Sequence, residues 1–511
     1  MAFLADPASH DLAEGEVRRI DTHAAIVFLA GARAYKLKRA IKLPFLDYSS
    51  LARREAACRA ELRLNRRTAP DIYLDVSPVT RGPDGRLGFG GNGETLDWVV
   101  VMRRFDDSRL LDRLSRAGPL GTALAISLAE AIATFHARAE PAADGADAAE
   151  MRRTVEVAVA SLRLYGDGVF APGAVESLVS ELAAELDTRH EVLNRRRAEG
   201  HVKHCHGDLH LRNIFLENGR PVIFDAIEFD DRLARTDVVY DLAFLLMDLW
   251  HRGLRSEANI VLNRYLLLTD DCGSLEPLPL FLSIRAAIRA HVSAMTAETQ
   301  PDAVQAAALR QEAGEYLGLA RELLLPAAPR LIGLGGYSGT GKSTLARALA
   351  PLFRPPPGAI VLRSDEIRKR LLGAAPEAAL DPSAYTPEIS ARVYDALRRQ
   401  AACVLAAGYT AIADAVNDRQ DSREALADLA AAADVPFTGL WLAARPEVMA
   451  ARIASRGADA SDATAEIMQR QVDTGSVPTD WPHLDAEADF PDLLAAAQVQ
   501  LDNGGSDHEA P

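Results

Sequence analysis

The stretch from Gly336 to Ser343, Gly-Tyr-Ser-Gly-Thr-Gly-Lys-Ser, constrains this chain more than any other. It has the spacing G-x-x-x-x-G-K-S. It comes after an apolar run, Arg330 to Gly335, that reads as a short buried strand, and it leads into Thr344 to Ala350, which reads as a helix. That order makes a phosphate cradle: glycines let backbone N–H groups turn inward, and the helix N-terminus adds partial positive charge. Gly336, Ser338, Gly339, Thr340, Gly341 and Thr344 are the expected phosphate contacts. Lys342 is placed to reach the β/γ-phosphates and Ser343 to offer its hydroxyl to Mg²⁺. The last third of the chain is therefore expected to bind a nucleoside triphosphate with magnesium.

Beyond the loop, strands and helices alternate. Ala359 to Arg363, Tyr409 to Ala413 and Phe437 to Leu442 read as strands, separated by a helix opening at Thr386-Pro387 and another over Asp421 to Ala432. Such alternation predicts a parallel sheet with helices on both faces and ligands at the carboxyl ends of the strands. Asp365 and Asp414 both fall at strand ends. Leu325 to Arg330 contains two prolines and interrupts a helical pattern over Val304 to Leu324, so a domain boundary is expected at 326–330. This sets a P-loop domain over 330–500 and a disordered acidic tail over 501–511.

Residues 330–500 resemble the small P-loop kinases related to gluconate kinase, zeta toxins and chloramphenicol phosphotransferase. The resemblance implies roles. Asp365 takes the proton of the acceptor hydroxyl, with a simple helix cap as its alternative, and Arg368, one turn on, binds the acceptor. Asp414 holds magnesium through water. Arg419 and Arg423 are implied substrate arginines, and Arg452 and Arg456 lid arginines over the phosphates; each pair is four residues apart and reads equally as helix-surface charge.

The first 326 residues carry a second signature. Lys203 to Phe215 contains H-G-D-x-x-x-x-N at His206 to Asn213, and Val222 to Asp225 comes about ten residues later. In kinase-type enzymes the loop Asp accepts the hydroxyl proton, while the Asn and the later Asp hold Mg²⁺. Asp208, Asn213 and Asp225 have that spacing. Asn218-Gly219 reads as a hairpin turn that would bring Asn213 and Asp225 together. Residues 20–326 resemble aminoglycoside phosphotransferases and their choline- and homoserine-kinase relatives, which implies a bilobal α+β protein-kinase-like domain over 1–326. Asp241, in the helix expected over Arg235 to Leu246, is implied to be structural. The chain as a whole resembles the bifunctional aminoglycoside phosphotransferase/ATP-binding proteins.

Ala24 to Ala30 and Ala34 to Lys38 read as a hairpin around Gly31, without a G-x-G-x-x-G loop. Lys36 is the chosen phosphate lysine, and Lys38, on the same strand face, stays open. In the helix expected from about Ser50 to Arg67, Cys58, Glu61, Leu62 and Asn65 share a face. Glu61 is either turned inward and paired with Lys36 or partly exposed. Val99 to Arg103 is the expected inter-lobe hinge. His204, His206 and His210 lack the cysteine or carboxylate partners of a zinc site.

Net charge is −15, divided about evenly on either side of residue 330, which argues against sequence-independent nucleic-acid binding. The four cysteines are widely spaced, which excludes a CxxC metal framework and argues against a disulfide scaffold. The acidic first 19 residues do not read as a secretory signal, and no apolar run spans a bilayer; the expected location is the cytoplasm. The expected function is a tandem of two ATP- and Mg²⁺-dependent phosphotransferase modules, each acting on a hydroxyl of a small-molecule acceptor. The alternatives are one catalytic and one nucleotide-sensing module, or a protein or RNA acceptor.

Overall fold

A computed structural model describes residues 1–10, 12, 16–22, 24–43, 46–455 and 460–503. The chain forms two compact units: Met1–Thr154 with His190–Asp248, and Val155–Arg189 with Leu249–Pro511. Residues 326–330 fall inside the second unit, because helices that precede them pack on helices beyond them and hydrogen-bond to the edge of the sheet.

The first unit is built on a six-stranded antiparallel sheet. Its strands are β1 (Arg18–Asp21), β2 (Ala25–Ala30), β3 (Arg33–Lys38), β4 (Tyr73–Arg81), β5 (Leu87–Phe89) and β6 (Glu94–Arg103), in the order β1-β2-β3-β6-β4-β5. The hairpin expected around Gly31 is β2–β3, with Ala30 opposite Arg33. Helix α1 (Leu51–Asn65) is capped by Ser50, whose hydroxyl accepts from the Arg53 amide. It buries Cys58, Glu61 and Asn65 against the sheet side. Val99 to Arg103 is not the hinge. It is the end of β6, and its backbone is committed to β3 and β4 on either side, so the chain leaves the sheet only after Arg103.

Below the sheet lie α2 (Thr122–Arg138), β7 (Val202–His204), the hairpin β8 (Ile214–Glu217) and β9 (Arg220–Ile223), β10 (Arg235–Asp237) and α3 (Val238–His251). Asn218 and Gly219 both have positive φ, 50° and 77°, as a two-residue type I′ turn requires. The helix expected from Arg235 starts three residues later, because Arg235–Asp237 pairs with Val202–His204 as a ribbon. In the connection after α2, Ala139, Ala146 and Ala148 are buried.

The second unit holds α4 (Arg255–Thr269), α5 (Leu278–Thr299) and α6 (Ala303–Glu322). It continues through β11 (Leu331–Gly335), α7 (Lys342–Leu349), β12 (Ile360–Arg363), α8 (Ser364–Leu371), α9 (Pro387–Ala406) and β13 (Ala411–Asp414). It closes with α10 (Gln420–Ala432), β14 (Phe437–Ala443), α11 (Pro446–Ser455), α12 (Ala465–Thr474), β15 (His483–Asp485) and α13 (Phe490–Asn503). The sheet is parallel throughout, in the order β12-β13-β11-β14-β15. β11 is buried at every position, as a central parallel strand covered on both faces must be. Ile332, Leu334, Leu345, Ile412, Leu440 and Leu442 form the core beneath the glycine-rich loop.

Two expectations change here. Helix α13 runs to Asn503 with Leu501 buried, so the ordered chain passes residue 500; residues 504–511 lie outside the described residues. Cys272 and Cys403, 131 positions apart, form a disulfide. This single bond supplements a large apolar core and does not replace one.

Candidate active sites

In the first unit the charged residues converge on α1. Lys36 Nζ, from β3, lies 2.8 Å from Glu61 Oε1 and 2.6 Å from Asp225 Oδ1. Lys38, two residues on and on the same face, pairs with Glu61 and with Glu228 instead, and Tyr48 donates to Glu228 at 2.7 Å. Glu61 is fully buried. Burial alone would push its carboxyl up, but Lys36 and Lys38 outweigh it and hold the group below its ordinary range. Burial likewise pulls Lys36 down, and Asp225 and Glu61 more than reverse it, so the lysine stays charged.

The loop carrying Asp208 is held from beneath by Asp241. This fully buried carboxylate accepts from the backbone N–H of His206 at 3.0 Å and of Gly207 at 2.8 Å, and lies 3.2 Å from His136 Nε2. Gly207 has φ +84°, and a Cβ there would meet Ile227 at 3.0 Å, so the turn admits glycine alone without strain. His206 lies 2.9 Å from the Phe224 carbonyl through Nε2, and its Nδ1 accepts from the Asp208 amide. Burial lowers its pKa, consistent with a neutral imidazole in a bracing role.

Asn213 donates to the Asp208 carboxylate at 2.8 Å and to its carbonyl at 2.9 Å. The β8–β9 hairpin returns the chain so that the Phe224 amide donates to the Asn213 carbonyl. Asp225 comes next with φ +63°, an uncommon conformation for a residue other than glycine. Its position is fixed by Asn65, which accepts from the Ala226 amide at 2.8 Å and donates to the Glu61 carbonyl at 3.0 Å. Lys36, Glu61, Asp208, Asn213 and Asp225 thus share one site. Asn213 and Asp225 offer the hard oxygen donors that a divalent cation takes, and the Lys36 ammonium already rests against Asp225. His204 and His210 take no part in a three-ligand cluster; the grouping of that kind among the described residues is His136, Cys205 and Asp241, where Asp241 is occupied with backbone amides.

In the second unit the glycine-rich loop joins β11 to α7. Gly339 has φ +88°, and a Cβ there would lie 2.6 Å from the Met449 carbonyl. Lys342 Nζ donates to the carbonyls of Gly336 and Tyr337, at 2.7 and 3.1 Å, bent back over the loop. Ser343 Oγ donates to Asp414 Oδ2 at 2.5 Å. The hydroxyl and the carboxylate, from α7 and the end of β13, form an oxygen pair that fits Mg²⁺.

Loop and strand ends face an open cleft of about 710 Å³. Ser338 to Thr344, Asp365, Arg368, Asp414 and Arg452 all line it. Burial raises the Asp365 pKa, Arg363 opposes the rise and Asp414 adds to it. Arg368 is buried, donates to the Ala384 carbonyl at 2.9 Å and lies 4.6 Å over the Tyr385 ring. Its Nε has no hydrogen-bond partner among the described residues. Arg452 donates to the Ala486 carbonyl at 2.7 Å and to the Thr340 carbonyl at 3.4 Å. Arg456 lies outside the described residues.

Arg419 and Arg423 stand apart from this group. Arg419 is exposed and paired with Asp421 at 2.8 Å. Arg423 is buried, donates to the carbonyls of Asn417 and Asp418 at 3.3 and 3.1 Å, and pairs with Asp480. Neither lines the cleft; their spacing serves the entry of α10.

Sequence reasoning passed over several residues. Arg363, the buried last residue of β12, lies 3.5 Å from Asp414 and 3.0 Å from Glu366; a charge ending an apolar strand was a readable signal. Asp462 accepts from Tyr385 at 2.6 Å and from Lys369 at 3.1 Å, and Gln471 accepts from the Ser338 amide at 2.9 Å. Neither sits in a local pattern that would mark it.

Comparison with known proteins separates the same two sites. Residues 32–278 match the family described as phosphotransferase enzyme family, and residues 331–478 match the AAA domain family. The chain is 34% identical over 458 residues, 88% of each chain, to Uncharacterized protein Rv2004c of Mycobacterium tuberculosis. Among solved structures it is similar to a choline/ethanolamine kinase family protein from Mesorhizobium loti, at TM-score 0.38 and 15% identity, covering 63% of this chain and 95% of that one. It is also similar to a gluconokinase from Sinorhizobium meliloti, at TM-score 0.27 and 17% identity, covering 36% and 99%.

Proposed function

Since the chain belongs to the family of the mycobacterial protein Rv2004c and is an ATP-dependent kinase with two kinase-family domains, we propose that each domain transfers the γ-phosphoryl of ATP to a hydroxyl of a small molecule. The observation that carries this reading is the cleft in which Lys342, Ser343, Asp365, Arg368 and Asp414 meet. It is supported by the parallel convergence of Lys36, Asp208, Asn213 and Asp225.

In each transfer the acceptor oxygen bonds to the γ-phosphorus, the bond from that phosphorus to the β,γ-bridging oxygen breaks, and the hydroxyl proton passes to a carboxylate. The catalysis required is positioning, charge neutralisation and exclusion of water. In the second unit Asp365 takes the proton, Arg368 holds the acceptor, and Lys342 swings from its loop carbonyls to the phosphates. Ser343 and Asp414 would hold Mg²⁺, and Arg452 lies beside the loop it would help close. In the first unit Asp208 is the proton acceptor, oriented by Asn213. Lys36, steadied by Glu61, binds the phosphates, and Asn213 with Asp225 would hold Mg²⁺. When bound, Mg²⁺ supplies charge neutralisation on the phosphate oxygens.

The test is incubation of the whole protein with γ-labelled ATP, Mg²⁺ and a small-molecule extract, beside Lys342→Ala and Asp208→Ala. A labelled metabolite lost in one variant assigns that transfer to one domain. Label that moves only to protein or RNA, or that appears with neither, refutes the small-molecule reading.

A further inference from the structure

β12 is an edge strand, and an edge strand presents a row of backbone N–H and C=O groups without a neighbour. Here side chains take the neighbour's place. Asn259 and Asn263 lie one turn apart on α4, the helix Arg255–Thr269. Asn263 accepts from the Val361 amide through Oδ1 at 2.7 Å and donates through Nδ2 to the Ala359 carbonyl at 3.2 Å. Asn259 donates to the carbonyls of Pro357 and Ala359 at 3.1 and 3.0 Å. Asn263 also donates to the Asn259 carbonyl at 3.0 Å. Two amides thus take up outward-facing backbone groups at the start of β12 and just before it, in a partly to fully buried setting where an unmade bond costs about 1–3 kcal/mol.

The same segment grips the other elements of the acceptor wall. Arg264 pairs with Glu377 at 2.7 Å, just past α8. Asp270, at the end of α4, accepts from Arg370 on α8 at 2.5 Å and from Gln400 on α9 at 2.9 Å. Cys272 is bonded to Cys403 on α9. β12 ends at Arg363, beside Asp414; α8 carries Asp365 and Arg368; α9 carries Tyr394. The segment therefore holds each of the three elements that supply the acceptor side of the cleft, although it lies well before the AAA domain match that begins at residue 331.

We propose that residues 255–272 are a positioning strap for the P-loop site, and that Asn263 is the residue that sets where β12 lies and hence where Asp365 stands. This rests on the reading of Asp365 as the proton acceptor. Asn263 touches no substrate. It acts through the Val361 amide and the Ala359 carbonyl, one on each side of Ile360. Reactivity at the strand end responds because a displacement of about 1 Å at a reacting group costs on the order of a hundredfold in rate.

The experiment uses the full chain in an Asp208→Asn background, with MgATP alone and phosphate release as the turnover. Asn263→Leu removes both hydrogen bonds to the strand segment together with those to Asn259, and Asn263→Asp keeps the acceptor for Val361 while losing the donor to Ala359 and Asn259. Expected for Asn263→Leu are hydrogen exchange at least roughly tenfold faster over 360–371, unchanged exchange over β11 and β14, an unchanged KM for ATP, and a kcat lower by roughly ten- to a hundredfold. Asn263→Asp is expected to fall between, and serves if the leucine variant does not fold. Unchanged exchange over 360–371, a uniform rise across the whole parallel sheet, or a KM for ATP that moves with kcat overturns the strap. Asp365→Asn run beside them separates the two claims: turnover unaffected by that change sinks the role of Asp365, while the exchange pattern still decides the strap.

Discussion

Replacing Glu61 by Gln tests how much the first site depends on one buried charge. The carboxylate is fully buried and bridges two ammonium groups, with Lys36 at 2.8 Å. Breaking a buried ion pair from one side costs about 3–5 kcal/mol. Here Lys36 keeps Asp225 and Lys38 keeps Glu228, so neither cation is stranded and the low end, about 3 kcal/mol, is expected. That is on the order of a hundredfold in the opening equilibrium of the sheet. Hydrogen exchange of the β3 and β6 amides reads this opening directly. The pH dependence gives an independent sign. The folded pKa of Glu61 is depressed, so its stabilisation is fully present above the unfolded value of about 4.3 and is lost as pH falls through the folded value. The gap between the native protein and Glu61→Gln should therefore be flat from neutral pH to about 5 and close at lower pH. A gap below about 1 kcal/mol at neutral pH, or one that does not narrow in acid, would refute the charge argument.

Other outcomes are expected in the second site. Gly339→Ala places a methyl 2.6 Å from the Met449 carbonyl at φ +88°; fluorescent-nucleotide titration should show loss of ATP binding there of at least roughly tenfold, about 1.4 kcal/mol. Ser343→Ala removes the hydroxyl bonded to Asp414. It should weaken ATP binding in the presence of Mg²⁺ by roughly tenfold and leave binding in EDTA unchanged. Because burial raises the Asp365 pKa, turnover at this site should rise with pH along a limb centred above the ordinary aspartate range. Asp365→Asn should abolish that limb in a pH–rate profile of the Asp208→Asn protein.

The elements readable from the sequence were those in which chemistry and backbone agree locally. The glycine-rich loop between an apolar strand and a helix left one reading, and Asn218-Gly219 set the register that returns Asp225 to Asn213. Thr386-Pro387 marked the start of α9, where the Thr386 hydroxyl accepts from the Ile389 amide. The features that escaped were decided at a distance. Arg423 has the spacing of a ligand arginine, yet its guanidinium donates to the carbonyls before α10 and pairs with Asp480; only the fold shows which way that helix turns. Val99 to Met102 is apolar enough for a hinge or a central strand, and pairing with β3 and β4 decides it. β15, three residues long, carries no period to detect. Asn259 and Asn263 read as ordinary helix-surface amides until the edge of β12, about 100 residues on in sequence, is laid against them.

The way the chain alternates between units has a consequence during synthesis. Residues 155–189 belong with 249–511, while 190–248 complete the first unit. The helix at Ala174–Thr188 packs on α5 and α6, with Glu181 paired to Arg321. At a translation rate of about 5–20 residues per second, that helix waits on the order of ten seconds for its partners. During that interval the first unit can close as soon as residue 248 has emerged, with the Ala174–Thr188 helix still looped out from its middle. Leu178, Leu182 and Leu186, buried in the finished protein, are then apolar surface open to chaperones and to misassembly between neighbouring nascent chains.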